Sequence, residues 1–146
     1  KDMSGLRSSA KQYRDKIDRT PSIAPTKGRI TSGYGNRLHP ILRVMRLHEG
    51  VDIAAPRGTP IVATADGVVV RAGWLGSYGN AVEVSHGYGM TTFYAHNSRN
   101  AAKTGAAVKK GQVIAYVGST GVSTGSHVHY EVRVNKRPVN PSSYLK

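Results

Sequence analysis

The chain of 146 residues contains six histidines and eight acidic residues, and these are the side chains that could bind a metal or transfer protons. It contains no cysteine, which excludes disulfides, thiolate catalysis and cysteine-ligated zinc. Any metal site must therefore use histidine nitrogens and carboxylate oxygens. A hydrolytic zinc site of that kind needs three protein ligands and leaves a further position for water.

Two of these side chains, His48 and Asp52, lie four residues apart. On a helix this spacing would align them, but Gly50, the β-branched Val51 and Pro56 favour an extended or looped segment. A loop or the start of a strand can still bring both groups to one point. Taken alone, the motif also fits a polar loop with a capping aspartate.

His127 and His129 flank a valine in a segment whose alternation of polar and apolar residues predicts a β-strand. Successive side chains of a strand point to opposite faces, so both histidines project to one side together with Glu131 and Arg133. Neutral imidazole is a common zinc ligand. A paired-histidine face of this kind fits either a metal site or a solvated sheet face.

His96 ends another predicted strand, which could run beside the first. His48, Asp52 and one histidine of the pair would complete a set of two imidazoles and one carboxylate, and the remaining histidines would be free for proton transfer. Zinc lowers the pKa of bound water toward about 7, and a neutral imidazole with an ordinary pKa of about 6.5 can accept its proton. The pattern therefore indicates metal-dependent hydrolysis.

The order of these motifs resembles that of the lysostaphin-type (LytM-like) zinc endopeptidases, which cleave peptide cross-links or stems of bacterial peptidoglycan. The resemblance covers about residues 29–144 and rests on the H-x-x-x-D element at His48 and Asp52, the H-x-H element at residues 127–129 and the Tyr-Ala-His segment that ends at His96. Four framing stretches are also similar, at residues 32–37, 39–41, 58–60 and 118–121.

The resemblance implies a role for each residue of these motifs. His48, Asp52 and His129 would bind one zinc ion per chain, whereas His96 and His127 would be the catalytic pair that does not bind the metal. It also implies a mainly β fold, an antiparallel sheet or partial barrel with an open groove. Some relatives with this fold have lost metal ligands and activate cell-wall amidases without catalysis, but here every expected ligand is present.

The elements that must position these residues are short strands. From Arg29 onward, β-branched runs separated by glycines predict about six to eight strands and no helix, arranged as an antiparallel sheet that could close into a partial barrel. Residues 59–63 and 67–72 are predicted to pair as one hairpin, and residues 80–85 and 90–95 as another.

The N-terminal region is predicted to stand apart from this sheet. Leu6, Tyr13 and Ile17 have the spacing of an amphipathic helix, so residues 1–20 are interpreted as a short helical lead-in or the end of a coiled coil. Pro21 and Pro25 predict a linker over residues 21–28. Residues 29–146 then form the predicted zinc endopeptidase domain.

The net charge of +13 at pH 7 predicts attraction to polyanions. Nucleic acid and anionic cell-wall polymers both fit, but the basic residues are spread along the chain without a recognition helix or stacked aromatic platform, so no specific nucleic-acid binding is expected. No apolar run approaches the roughly 20 residues of a membrane-spanning helix. Because no signal-like segment follows Lys1, a signal or anchor is expected upstream, with a coiled-coil or regulatory partner.

The sequence therefore predicts a zinc metalloendopeptidase of the bacterial cell envelope, periplasmic or extracellular. It would hydrolyse peptide cross-links or stem peptides of peptidoglycan through a zinc-activated water. The alternative is a catalytically silent module that binds the cell wall or activates an amidase. Bound metal and the release of new amino groups from cell walls distinguish the two.

Overall fold

The computed structural model of the protein describes residues 16–38, 45–121, 123 and 125–145. Of the three apolar positions of the predicted N-terminal helix, only Ile17 falls in this range, and residues 16–18 are helical. Leu6, Tyr13 and the framing stretch at residues 39–41 lie outside the described residues. None of the described helices is long and apolar enough to cross a membrane.

Within this range the chain is mainly β-structure, which confirms the predicted fold class. The described residues form twelve strands, more than predicted, because several of them are only two to four residues long and leave no periodic pattern in the sequence. The strands are β1 (Arg29–Ser32), β2 (Gly35–Leu38), β3 (Met45–His48), β4 (Val51–Ala54), β5 (Pro60–Val62), β6 (Gly67–Trp74), β7 (Asn80–Gly87), β8 (Met90–Asn100), β9 (Ala107–Val108), β10 (Val113–Val117), β11 (His127–Val134) and β12 (Arg137–Val139). Two short 3₁₀ helices cover Gly76–Tyr78 and Pro141–Tyr144.

The strands form one large antiparallel sheet in the order β1-β4-β11-β8-β7-β6-β9. This path is open at β1 and β9, so the sheet does not close into a barrel along it. The long strand β8 pairs with β7 and β11 through its first part and with β10 through its last residues, while β10 also pairs with β5. Strands β2 and β3 form a separate two-stranded sheet.

Apolar residues on one face of the sheet form the main core. In β11 the alternation predicted from the sequence is observed, because Val128, Tyr130 and Val132 are all fully buried in this core. The opposite face carries a smaller buried cluster of Ala81, Phe93 and Ala95, against which Leu75 and Tyr78 pack. The residues predicted to be functional lie on this second face.

One predicted hairpin is confirmed and the other is wrong. Strands β7 and β8 pair as expected. Strands β5 and β6 do not pair, because β5 lies beside β10 whereas β6 lies between β7 and β9. The physical reason is that Thr64, between them, is fully buried, and its Oγ1 lies 3.1 Å from the Tyr94 hydroxyl and 2.8 Å from the Tyr130 hydroxyl. The connection crosses the interior instead of turning at the surface.

The stretch predicted as a linker is in contact with the β domain. Pro21, Pro25 and Thr26 are buried. The Ser22 amide donates to the Thr64 carbonyl at 3.3 Å, and the Pro25 carbonyl accepts from the Val62 amide at 2.7 Å. The division at residues 20 and 28 stays a prediction, and these contacts tie the residues around it to the sheet.

Candidate metal centre

The pairing of β4 with β11 brings the predicted motifs together. Asp52 is the register partner of His129, and His127 faces Ala54 two residues further along. His48 ends β3 and is joined to β4 by Glu49 and Gly50. A Cβ at Gly50 would lie 2.3 Å from the Tyr130 carbonyl oxygen, so only glycine allows this connection to pass so close to β11. The close passage holds His48 beside the other two residues.

Three side chains form a compact set of possible metal ligands. Asp52 Oδ1 lies 3.2 Å from His48 Nε2 and 3.0 Å from His129 Nδ1, and all three donor atoms lie within 4.8 Å of one another. Ligand atoms at about 2.0–2.1 Å from a tetrahedral zinc ion are about 3.3 Å apart, which the two distances to Asp52 Oδ1 match. Two imidazoles and one carboxylate therefore fit a zinc ion.

The protonation states of Asp52 and His129 favour the binding of a positive charge at the cluster. Burial alone would raise the pKa of Asp52, but hydrogen bonds from His129 and His48 outweigh it and hold the pKa well below its usual range. The carboxylate is therefore ionised at neutral pH. Burial alone would lower the pKa of His129, but its hydrogen bonds to Asp52 and Glu131 raise it. In the absence of a cation, a proton on His129 thus balances the negative charge of the buried carboxylates.

Backbone carbonyls orient three of the histidines in the same way. Nδ1 of His48 lies 2.7 Å from the Gly33 oxygen, that of His96 lies 2.7 Å from the Thr120 oxygen, and that of His127 lies 2.8 Å from the Gly125 oxygen. A carbonyl can only accept a hydrogen bond, so each Nδ1 carries the hydrogen. In the neutral ring Nε2 then keeps its lone pair.

His96 reaches the cluster through an irregular strand. Regular alternation in β8 would point it to the same face as Tyr94, but the register with β7 shifts between these positions and His96 adopts a φ of 66°. Its ring centroid consequently lies 5.0 Å from that of His127 and 6.0 Å from that of His129. Burial, with the neighbouring histidines, lowers the pKa of His96 to about 4, so it is neutral at neutral pH.

Three further residues belong to the site although the sequence predicts no role for them: Glu131, Arg133 and Tyr78. Glu131 is fully buried, and its Oε2 lies 2.8 Å from both His129 Nε2 and the Tyr78 hydroxyl. Arg133 binds its other oxygen, Oε1. Strand alternation places Glu131 on the histidine face, which is a usable signal. Tyr78 lies in a short 3₁₀ helix distant in the sequence, and no local pattern predicts its contact.

The structure thus brings all five predicted site residues to one place: His48, Asp52, His96, His127 and His129. An open cavity lies next to His127, lined by Gly28, Arg29, Ala54, Ala55, Pro56 and Ser126. His86 belongs to neither, because it is fully buried and hydrogen-bonds to the Asp66 carbonyl and Thr92. His39 lies outside the described residues.

Comparison with known proteins identifies relatives of most of the chain. The model of peptidase family M23 matches residues 46–141. The DD-carboxypeptidase/endopeptidase Mpg of Neisseria meningitidis serogroup B is 55% identical over 115 residues, which are 79% of this chain and 26% of that protein. The peptidoglycan DD-endopeptidase ShyC of Vibrio cholerae is 43% identical over 114 residues, 77% of this chain and 26% of that protein.

A solved structure of a zinc-containing peptidase from Vibrio cholerae has the same fold. It superposes with a TM-score of 0.78 and 38% sequence identity, over 85% of this chain and 40% of that one. The chain spans only about a quarter of the length of the curated relatives it matches, since 26% of each is covered.

Proposed function

Because the chain belongs to peptidase family M23, as its resemblance to the lysostaphin-type metalloendopeptidases predicted, we propose that it is the catalytic domain of a zinc-dependent endopeptidase that hydrolyses peptide cross-links or stem peptides of bacterial peptidoglycan. The observation that carries this proposal is the set of donor atoms at His48, Asp52 and His129, whose spacings match those of zinc ligands. A single ion per chain is expected there.

The ligand roles follow from the free nitrogens. His48 offers Nε2, because its Nδ1 hydrogen is bound by the Gly33 carbonyl. His129 faces Asp52 with Nδ1. A zinc ion held by these groups would polarise the carbonyl of the scissile bond and lower the pKa of a water molecule toward about 7.

His96 and His127 are the proposed catalytic pair. In both rings a backbone carbonyl binds Nδ1, so Nε2 is the nitrogen left for chemistry. Nε2 of His127 lies 3.7 Å from Asp52 Oδ1, at the edge of the ligand set. A neutral imidazole in this position can accept a proton from the attacking water, and once charged it can hydrogen-bond the developing oxyanion or protonate the leaving amine. The lowered pKa of His96 keeps it in the neutral form before reaction.

The substrate assignment is supported by the relatives and by the charge. The Vibrio cholerae relative is a peptidoglycan DD-endopeptidase by name, and a net charge of +13 suits a domain that acts on an anionic cell wall. We place the protein in the bacterial cell envelope for the same reasons. Anionic wall polymers are its proposed non-substrate partner.

Digestion of purified sacculi tests this function. With zinc supplied, mass analysis should find peptide fragments with new amino and carboxyl ends and no new reducing sugar ends. Asp52→Ala should lose zinc and fragment release while keeping the fold, since the main core lies on the opposite face. Asp66→Ala, which removes a carboxylate outside the cluster, serves as the matched control and should cleave normally.

Two results would contradict the proposal. Release of reducing ends without amino groups would exclude peptide hydrolysis. A parent chain that binds one zinc ion yet releases nothing from sacculi or from cross-linked peptides would instead establish the catalytically silent module.

A further inference from the structure

His129 differs from the other three histidines of the site in what holds it. Each of the others is bound at Nδ1 by a backbone carbonyl, whereas His129 contacts a carboxylate at both nitrogens, Asp52 at Nδ1 and Glu131 at Nε2. The Glu131 contact is 2.8 Å long and lies in the protein interior. A neutral carbonyl would have sufficed to fix the ring, so the charged acceptor calls for an explanation.

Both carboxylate oxygens of Glu131 accept hydrogen bonds from two donor atoms each. Its Oε1 accepts from Arg133 Nε at 2.8 Å and from Nη2 at 2.7 Å, and its Oε2 accepts from the Tyr78 hydroxyl as well as from His129. The Arg133 guanidinium lies 4.7 Å from the centroid of the Phe93 ring, and Phe93 is the register partner of Glu131. Every partner of the carboxylate is therefore itself held in place.

Stability alone does not account for this arrangement. Burying a carboxylate with a guanidinium costs desolvation energy that their attraction often only balances, and apolar residues of similar volume can replace such a pair without loss. The surroundings already contain an apolar cluster of Ala81, Phe93 and Ala95 that could be extended. What an anionic acceptor adds over a neutral carbonyl is negative charge behind the His129 imidazole, which makes the ring a stronger ligand for a cation.

We propose that Glu131 is a positioning residue that keeps a hydrogen on His129 Nε2, so that Nδ1 is the nitrogen that binds the metal. A carboxylate can only accept, so Nε2 keeps its hydrogen, and the hydrogen that a cation would replace is the one on Nδ1, which faces Asp52. The negative acceptor also makes Nδ1 a stronger donor to a cation. The inference rests on the proposed role of His129 as a zinc ligand.

Glu131→Gln is the most direct test because it preserves shape and removes one acceptor. An amide has one oxygen that accepts and one NH₂ group that donates. The native partners need an acceptor on both sides, because His129 and Tyr78 donate to one oxygen of Glu131 and Arg133 donates to the other. If the NH₂ group faces His129, it donates to Nε2 and moves the ring hydrogen to Nδ1. If the NH₂ group faces Arg133, two donors oppose each other and Arg133 no longer holds the side chain at position 131.

The expected effect is a weaker affinity for zinc, by about 10- to 100-fold, which is the usual scale for removing such a partner of a ligand. The measurement is competition for zinc between the full chain and a chromophoric chelator at pH 7.5. Tyr78→Phe, which removes one donor but leaves the carboxylate, should weaken binding severalfold.

The matched control is Glu83→Gln. Glu83 shares the sheet face of Glu131, because both are register partners of Phe93, and it accepts from Arg71 Nε at 2.8 Å. Among the contacts of the described residues it has none with a histidine. This variant removes the charge of a more exposed Arg–Glu pair on the same face and should bind zinc within about twofold of the parent chain.

A second readout separates positioning from a structural role. The ¹⁵N shifts of the His129 ring in the zinc-loaded chain should report a hydrogen on Nε2, and Glu131→Gln should alter that signature. A merely structural role would lower the thermal stability of the zinc-free protein and leave both the affinity and the ring shifts unchanged.

The outcomes are distinct. Parental zinc affinity in folded Glu131→Gln overturns the inference while leaving the proposed function intact. A parent chain that binds no zinc refutes the proposed function, and the inference with it. If Glu131→Gln does not fold, Tyr78→Phe decides, because parental affinity in that variant would overturn the role assigned to this network.

Discussion

The four histidines of the site show how the surrounding protein selects which nitrogen of each ring points to the centre of the site. Backbone carbonyls hold His48, His96 and His127 through Nδ1, and Glu131 holds His129 through Nε2. Each ring therefore presents its other nitrogen to a shared centre. Because these contacts come from the protein alone, the site is organised before any ion or substrate enters it, which reduces the reorganisation that catalysis requires.

His96→Ala and His127→Ala should separate chemistry from metal binding. Neither residue belongs to the ligand set, so both variants should keep one zinc ion per chain, while turnover should fall by roughly 10²-fold or more because a proton-transfer group is lost. Zinc content and kcat on a soluble cross-linked peptide are the measurements. A variant that hydrolyses at the parental rate would remove its histidine from the mechanism.

Strands and loops contribute differently to what the sequence could predict. Alternation in β11 correctly predicts that His127, His129 and Glu131 share a face, because a regular strand has a period of two. It cannot predict the direction of His96, since a register shift and a positive φ redirect that side chain. Nor can it place Tyr78, whose contact depends on a loop folding over the sheet. Regular elements are readable from local sequence, whereas contacts between distant loops are not.

A buried chain of hydrogen bonds links three strands behind the site. His86 in β7 contacts the Thr92 hydroxyl at 2.8 Å, Thr92 contacts the Tyr94 hydroxyl at 2.7 Å in β8, and Thr64 connects Tyr94 to Tyr130 in β11. His86 Nδ1 donates to the Asp66 carbonyl at 2.8 Å, and the whole imidazole is buried.

This arrangement predicts a pH dependence of stability. Burial lowers the pKa of His86 below its ordinary value of 6.5. The unfolded chain therefore binds this proton more readily, so the stabilisation is present above about pH 6.5 and is lost as the pH falls below it, with a slope of up to about 1.4 kcal/mol per pH unit. Urea unfolding at pH 7.5 and 5.5 should show a smaller decrease for His86→Gln than for the parent chain. Equal decreases would show that His86 is not the responsible group.

At the scale of the whole molecule, the N-terminal segment and the β domain are joined more closely than a flexible linker would imply. Besides the Ser22 and Pro25 hydrogen bonds, the Asp18 carbonyl accepts from the Asp66 amide at 3.1 Å, and Thr26 Oγ1 donates to the Pro60 carbonyl at 2.9 Å. These contacts are made with β5 itself and with the residues that follow it. The sheet therefore depends on residues that precede its first strand.

Two truncations test this dependence. A chain that begins at Pro21 keeps the buried prolines and should cleave a soluble peptide at a near-parental rate. A chain that begins at Lys27 loses Pro21, Pro25 and Thr26, all of them buried. Its free energy of unfolding should be lower by about 2 kcal/mol or more, so it should unfold at a lower urea concentration. Thermal or urea unfolding of both chains is the measurement. Equal stability would show that residues 21–26 contribute nothing to the fold.

The pairing of β4 with β11 has a consequence for how the protein folds. Asp52 and His129 are separated by 77 positions, with the β7–β8 hairpin between them. Local hairpins close quickly, whereas contacts across so long a loop form only after its closure entropy has been overcome. We therefore expect this site to be assembled late in folding. An ion bound there would then slow unfolding without speeding folding.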